Sequence, residues 1–433
     1  MTSSTTGRTG PGTDPVAGGP TTAGPPAGSG TAGPAAGPAP GAGAGGALHV
    51  VQLLTPDGRR VDEGEDPEVA AHAAALTVED LRGMYRDMAL ARRMDTEATA
   101  LQRQGELGLW ASLLGQEAAQ VGSARATAPQ DRLFPTYREH AVAMVRGVDP
   151  AHVLSLFRGV DRGGWDVEAT GVSPYALVIG SQTLHATGYA MGVQRDGAVG
   201  TGDAGRDACV LAYFGDGASS QGDVSEAFVF ATAFQAPVVF VCQNNQWAIS
   251  VPAERQSRVP IAQRASGFGF PGVRVDGNDV IACYAVVRAA AERARAGQGP
   301  TLVEAFTYRM GAHTTSDDPG RYRPSVEVEQ WRARDPLTRL EAHLRSDHGA
   351  GDDFFAEVAR DGDALATRLR RDVLEMPDPA PGTMFDHAYA AEHPQVEAER
   401  AWYAEYVAGL DGEDRPAVEG GAGGGAPAQG GAA

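Results

Sequence analysis

From residue 180 onward the chain alternates short, uninterrupted apolar strands with helices, and this alternation restricts the possible folds more than any other feature. We predict strands at residues 209–214, 237–242 and 301–308, and helices at residues 181–194, 224–234 and 280–296. Fully apolar strands separated by helices are typical of βαβ units, in which helices cover both faces of a parallel sheet. The sequence therefore predicts an α/β fold with a parallel sheet and helices on both faces. Ligands of such sheets lie beyond the carboxyl ends of the strands.

The part of the chain before residue 180 gives weaker signals. Residues 77–104 are predicted to be helical, with Thr77 as the N-cap and Asp80 three residues further on. A second helix is predicted to begin at about Glu117. We interpret Leu133-Phe134-Pro135 as a short apolar turn.

The two ends of the chain differ from this body in composition. Residues 1–47 are almost entirely Gly, Pro, Ala, Ser and Thr, and residues 413–433 are rich in Gly and Ala. Such segments have too few apolar side chains to offset the entropy lost on ordering. We predict disordered tails at both ends and one folded domain over residues 48–412.

The charge composition excludes several classes of function. The formal net charge is −19, whereas binding to nucleic acid or to an anionic membrane requires a basic surface. The chain contains no lysine, which excludes Schiff-base chemistry and a P-loop lysine. Any phosphate ligand must therefore be held by arginine, backbone amides, a helix N-terminus or a metal ion.

Three further features predict a cytoplasmic protein without a membrane span. No apolar run reaches the length that crosses a bilayer. The N-terminal residues do not resemble a signal peptide. The three cysteines lie in apolar surroundings, as is typical of buried, reduced thiols; they are Cys209, Cys242 and Cys283.

Polar side chains follow two consecutive strands at the point where each strand ends. The first strand leads into Gly215-Asp216-Gly217-Ala218, and Asn245 follows the next strand 29 residues after Asp216 (245 − 216). Because consecutive strands of a βαβ unit end at the same edge of the sheet, a carboxylate and a carboxamide should lie close together there. Both supply the oxygen ligands that Mg²⁺ prefers. Gly-Asp-Gly alone is a common turn, so the signal is the combination.

Three segments carry a resemblance to a known family: residues 215–223, 243–250 and 274–280. They resemble the alpha subunit of the E1 component of 2-oxo acid dehydrogenase complexes, a family that includes the branched-chain 2-oxo acid and pyruvate enzymes. The similarity extends over about residues 50–400. It implies a thiamine-diphosphate-binding fold with thiamine diphosphate and Mg²⁺ as cofactors.

The resemblance also implies which residues bind the cofactors. The side chains of Asp216 and Asn245 and the backbone carbonyl of Trp247 correspond to the metal ligands. Gly217 and Ala218 correspond to residues beside the diphosphate. Some members have an arginine at position 243 that reaches the diphosphate, and Gln243 departs from that pattern.

Two further segments add cofactor-binding candidates. Tyr137 and Arg138 match a Tyr-Arg-Glu segment in which the arginine pairs with the diphosphate. Ile179 matches a bulky apolar residue that supports the bent cofactor; Ser181 and Gln182 align weakly with a potassium site of some members. The alternatives are a surface arginine and an ordinary core isoleucine.

His313 lies in a charged loop, residues 309–323, that matches an active-site loop of the family. It corresponds to a histidine that faces the thiazolium, and an imidazole titrating near neutrality suits proton transfer. We therefore predict that His313 is catalytic and contacts the cofactor, with a structural histidine as the alternative. We also expect this loop to become ordered around the bound diphosphate, because its arginines require an anion.

The resemblance implies that this chain contributes one half of a thiamine active site. By resemblance, a beta subunit supplies the other half in an α₂β₂ heterotetramer, and the acyl group passes to the lipoyl group of an acyltransferase. The predicted function is oxidative decarboxylation of branched-chain 2-oxo acids such as 3-methyl-2-oxobutanoate. The alternatives are an acetyl-transferring pyruvate dehydrogenase, an acetoin dehydrogenase and a non-catalytic binding protein.

Overall fold

A six-stranded parallel sheet forms the centre of the computed structural model, which describes residues 48–61, 66–161 and 163–411. Its strands, in spatial order, are β1 (Val50–Val51), β7 (Gly272–Asp276), β8 (Thr301–Phe306), β4 (Val238–Asn244), β3 (Val210–Gly215) and β2 (Arg132–Phe134). A separate antiparallel hairpin consists of β5 (Trp247–Ala248) and β6 (Val251–Pro252). The predicted α/β class and parallel sheet are confirmed.

Helices precede, connect and follow the strands. They are α1 (Pro67–Ala74), α2 (Val78–Arg103), α3 (Glu117–Arg125), α4 (His140–Val145), α5 (Pro150–Arg158), α6 (Val167–Thr170), α7 (Ser181–Arg195), α8 (Gly222–Ala233), α9 (Ala253–Gln256), α10 (Arg264–Phe268), α11 (Val280–Arg295), α12 (Ser325–Arg332), α13 (Pro336–His348), α14 (Asp352–Glu375) and α15 (Pro394–Asp411). No helix within the described ranges combines the length and apolarity needed to cross a membrane.

The sheet is covered by an apolar cluster on each face, and this explains why its central strands β3 and β4 contain uninterrupted runs of apolar residues. Successive residues of β3 point to opposite faces, as pleating requires. Leu211 and Tyr213 belong to one cluster, which also holds α3 and α11. Val210, Ala212 and Phe214 belong to the other, which holds α7 and α8. The predicted cover of helices on both faces is therefore confirmed.

Several boundaries differ from the sequence-based expectation. The three predicted strands are present, with ends shifted by one or two residues. Leu133 and Phe134, interpreted as part of a turn, instead belong to β2, which pairs with β3. The edge strand β1 and the neighbouring β7 were not predicted.

Two smaller predictions are confirmed. The capping box of Thr77 and Asp80 begins α2 as expected, and the three cysteines are buried free thiols. The predicted tails, residues 1–47 and 413–433, lie outside the described residues.

Candidate active site

Asp216 and Asn245 lie at the same edge of the sheet because β3 and β4 are paired neighbours. Their parallel register aligns Gly215 with Gln243, so both polar residues follow immediately after the strands end. Asp216 is 2 % exposed and Asn245 is 7 % exposed. The expected adjacency of the two strands is confirmed.

Asp216 is a buried carboxylate with little to neutralise it. Burial raises its pKa from 3.8 to about 6, and backbone hydrogen bonds and the Arg309 charge only partly oppose that rise. Its side-chain hydrogen bond from the protein comes from Gln256 Nε2, at 3.3 Å. Among the described residues it forms no ion pair. A carboxylate in this condition is well suited to a cation.

Asn245 and Trp247 hold each other in a fixed geometry. The Trp247 backbone N–H donates to Asn245 Oδ1 at 3.2 Å, and Asn245 Nδ2 donates to Gln116 Oε1 at 3.0 Å. The Trp247 carbonyl, expected to bind metal, accepts a hydrogen bond from Arg309 Nη1 at 2.8 Å. A carbonyl oxygen has two lone pairs, so this bond still leaves one for a metal ion.

Gly217 allows the β5–β6 hairpin to lie directly over the turn that follows β3. A Cβ atom at this position would be 2.7 Å from the Cβ of Ala248, closer than real side-chain contacts. Ala218, the next residue, is 4 % exposed. The glycine of the motif is therefore required by close packing of the hairpin, in addition to any approach by a ligand.

Two guanidinium groups face the ring of His313. Arg138 Nη2 and Arg309 Nη1 each lie 3.2 Å from His313 Nδ1, so this nitrogen accepts and the ring proton belongs on Nε2. Burial, followed by the charges of Arg138 and Arg309, lowers the pKa of His313 to about 3. The expectation of an imidazole that titrates near neutrality is therefore wrong: the ring is neutral at pH 7.

Other contacts fix the backbone around His313. Arg138 donates to the carbonyls of Ser112 and His313 at 2.6 and 2.8 Å. The His313 N–H donates to Asp317 Oδ2 at 2.8 Å, and the Tyr322 hydroxyl donates to the same carboxylate oxygen. Tyr137 presents its ring edge-on to His313, with 6.3 Å between ring centroids. The structure thus brings Tyr137, Arg138 and His313 together.

Gln243 is occupied by its protein neighbours. Its amide donates to Glu139 Oε1 and its carbonyl accepts from Gln120 Nε2 at 3.1 Å. Glu139 is fully buried, and burial raises its pKa despite hydrogen bonds from Thr136. Gln243 therefore pairs with a buried acid instead of reaching outward as a phosphate ligand.

Ile179 lies in an exposed apolar segment at the start of α7. Ile179 is 38 % exposed and the preceding Val178 is 73 % exposed, so the alternative of an ordinary core residue is wrong for this chain alone. Ser181 Oγ donates to the Val178 carbonyl at 2.7 Å. Gln182 donates to the Tyr213 carbonyl at 2.6 Å, and its own carbonyl oxygen is buried without a partner among the described residues.

The structure adds site residues that the sequence patterns did not single out. Gln116 and Gln256 contact the side chains of Asn245 and Asp216. Asp317 accepts hydrogen bonds from the His313 backbone N–H and from the Tyr322 hydroxyl. The density of charge in the loop was a signal for Asp317 and Tyr322. Nothing in the sequence marked Gln116, because it belongs to the beginning of a helix remote from Asn245 in the chain.

The parallel sheet and the polar groups at its carboxyl edge define an α/β enzyme of the thiamine-diphosphate-binding fold. The family model described as "Dehydrogenase E1 component" matches residues 85–359. The chain therefore belongs to the dehydrogenase E1 component family, whose members are thiamine-diphosphate-dependent oxidoreductases. The alpha subunits of this family work with a beta subunit.

Three relatives illustrate the similarity. The 3-methyl-2-oxobutanoate dehydrogenase subunit alpha of Mycobacterium tuberculosis (strain H37Rv) is 45 % identical over 354 residues, covering 82 % of this chain and 93 % of the relative. The pyruvate dehydrogenase E1 component subunit alpha of Acholeplasma laidlawii is 36 % identical, covering 82 % and 99 %. The corresponding subunit of Staphylococcus aureus (strain COL) is 38 % identical, covering 69 % and 77 %.

Proposed function

We propose that residues 48–412 form the alpha subunit of a cytoplasmic 2-oxo acid dehydrogenase that holds thiamine diphosphate through Mg²⁺. The observation that carries this proposal is the buried pair of Asp216 and Asn245 at the ends of two paired parallel strands. Their side-chain oxygens and the Trp247 carbonyl are the proposed metal ligands. When bound, the cofactor supplies the electron sink for decarboxylation.

The donor set fits a magnesium ion. It consists of oxygen atoms alone, which is the chemistry that Mg²⁺ prefers, with water and phosphate completing six ligands. Burial raises the pKa of Asp216 because it destabilises the ionised carboxylate, and a bound cation would stabilise that carboxylate. Asn245 Oδ1 is already oriented by the Trp247 N–H.

Arg138 and His313 are the proposed contacts to the rest of the cofactor. Arg138 is 5 % exposed and lies against the His313 loop, so a guanidinium and an imidazole face the same region. With Nδ1 directed at the arginines, His313 presents Nε2–H as its free polar group. Tyr137, Gly217 and Ala218 are proposed to contact the cofactor, and Ile179 to support its bent form.

The proposed substrates are branched-chain 2-oxo acids, of which 3-methyl-2-oxobutanoate is the example. The support is the 45 % identity to a relative named for that substrate, against 36–38 % for relatives named for pyruvate. Pyruvate is the second candidate. The co-expressed pair of alpha and beta subunits should decarboxylate 3-methyl-2-oxobutanoate with a kcat/KM at least about tenfold above that for pyruvate, equivalent to about 1.4 kcal/mol. The reverse preference would contradict this assignment.

The same experiment tests the need for a partner. The apolar segment at Val178 and Ile179 is exposed in this chain, and we propose that a beta subunit covers it in an α₂β₂ assembly. The purified alpha chain alone should therefore show no decarboxylation at any cofactor concentration. Turnover by the single chain would contradict the two-subunit proposal. Acyl transfer by the pair should require an added lipoyl-bearing acyltransferase domain.

A further inference from the structure

Gln116 presents an unpaired hydrogen-bond donor beside the proposed metal site. The residue is fully buried and lies immediately before α3. Its Oε1 accepts from Asn245 Nδ2 at 3.0 Å, but its Nε2 has no hydrogen-bond partner among the described residues. A buried donor left unpaired is destabilising, because it has lost its hydrogen bonds to water. Such a cost is explained if the donor has a ligand to bind.

The orientation of the Gln116 amide is fixed by its neighbours. The Trp247 N–H donates to Asn245 Oδ1, which places that oxygen on the Trp247 side and turns Asn245 Nδ2 towards Gln116. If the Gln116 amide were reversed, two NH₂ groups would face each other. Gln116 must therefore present its oxygen to Asn245, and its NH₂ group is the part left free.

We propose that Gln116 links the metal ligand to the diphosphate: its oxygen positions Asn245, and its Nε2–H donates to a diphosphate oxygen of the bound cofactor. This inference rests on the proposed function. A diphosphate oxygen accepts hydrogen bonds without offering a donor of its own, so it matches the free NH₂ group. Gln116 is thus a cofactor-binding residue through one end of its amide and a positioning residue through the other.

The position of Gln243 gives a second reason for this assignment. Some family members have an arginine there that reaches the diphosphate, whereas Gln243 is held by Glu139 and Gln120. Position 243 therefore supplies no cation to the phosphate site of this chain. The sequence has no lysine either, so the neutral donor of Gln116 suits a contact to the diphosphate.

The test uses the full alpha chain in complex with its beta subunit and compares two substitutions. Gln116→Met keeps the length of the side chain but removes both contacts. Gln116→Glu keeps an acceptor for Asn245 and removes the donor. Titrations of intrinsic fluorescence would measure the half-saturating Mg²⁺ concentration at saturating thiamine diphosphate, and the thiamine diphosphate Kd at saturating Mg²⁺.

The two variants should separate the two contacts. Gln116→Met should raise both constants by about tenfold or more, the lower end of the effect of a lost outer-shell partner. Gln116→Glu should raise the thiamine diphosphate Kd at least about as much, but should leave the Mg²⁺ requirement within about threefold or lower it. The control Gln130→Met removes an amide that, among the described residues, donates to the carbonyls of Ala204 and Asp207, and it should change neither constant.

Each contrary result has a distinct meaning. Unchanged constants in Gln116→Met would overturn the inference while leaving the proposed function intact. An unchanged thiamine diphosphate Kd in Gln116→Glu would overturn the donor contact and hence the proposed link. If Gln116→Met does not fold, Gln116→Glu alone decides the donor contact. Failure of the wild-type complex to bind thiamine diphosphate with Mg²⁺ would instead contradict the proposed function itself.

Discussion

Replacing Asp216 by alanine should abolish Mg²⁺-dependent binding of thiamine diphosphate. Asp216 is the only charged member of the proposed ligand set, and a lost outer-shell partner alone weakens metal binding roughly 10- to 100-fold, so losing a direct carboxylate should cost more. Calorimetric titration of the alpha–beta complex measures the effect. The control Asp196→Asn, at an exposed position after α7, should bind as the wild type does. Unchanged affinity in Asp216→Ala would contradict the assignment.

The isosteric variant Asp216→Asn tests how the buried charge of Asp216 affects stability in the absence of metal. Burial raises the pKa of Asp216 from 3.8 to about 6. At a pH above 6 the ionised carboxylate therefore destabilises the folded state relative to the unfolded state. In the absence of metal, removing the charge should raise the free energy of unfolding by up to about 3 kcal/mol at pH 7.5. The gain should shrink as the pH falls from 6 towards 3.8 and should vanish below that pH, where the carboxyl group is neutral in both states. Denaturant titrations at several pH values measure this difference.

Replacing His313 by alanine should affect two steps of the reaction to different extents. Transfer of the acyl group to a lipoyl domain should fall by about 100-fold or more, the usual cost of losing an acid–base group. Decarboxylation coupled to an artificial electron acceptor should survive in part, because the beta subunit is expected to supply the group that activates the cofactor. The control His152→Ala changes an exposed side chain of α5 and should affect neither rate.

The neutral state of His313 makes a second variant informative. Its pKa of about 3 leaves Nε2–H as the free polar group at neutral pH. Glutamine keeps a donor but has no basic nitrogen. If His313 moves a proton, His313→Gln should be as slow in acyl transfer as His313→Ala. Wild-type acyl transfer in the alanine variant would show that His313 is structural.

The sequence predicted the centre of the fold well because local patterns determine it. Uninterrupted apolar residues in β3 and β4 require helices on both faces, and the 29-residue separation of Asp216 and Asn245 requires neighbouring strands. The sheet edges were missed for equally physical reasons. Val50–Val51 is too short to show a pattern, and Pro135 made the end of β2 look like a turn.

The contacts within the site could not be read from the sequence, because they join residues far apart in the chain. We expected the loop arginines to require an anion. Instead, Arg309 donates to the carbonyls of Trp247 and Ile249, and Arg323 donates to the carbonyls of residues 309–311. The protein therefore supplies carbonyl acceptors to the Nη atoms of both arginines, while Arg309 Nε is buried without a partner among the described residues. The ordering of the loop around the diphosphate stays a prediction.

The most direct test of the metal site is anomalous diffraction from crystals of the alpha–beta complex grown with Mn²⁺ and thiamine diphosphate. Manganese suits the same oxygen ligands as magnesium and scatters anomalously. We expect one peak about 2 Å from a carboxylate oxygen of Asp216, from Asn245 Oδ1 and from the Trp247 carbonyl oxygen, with the diphosphate as a further ligand. Thiamine diphosphate bound without a peak at Asp216 and Asn245, or with the metal elsewhere, would contradict the account.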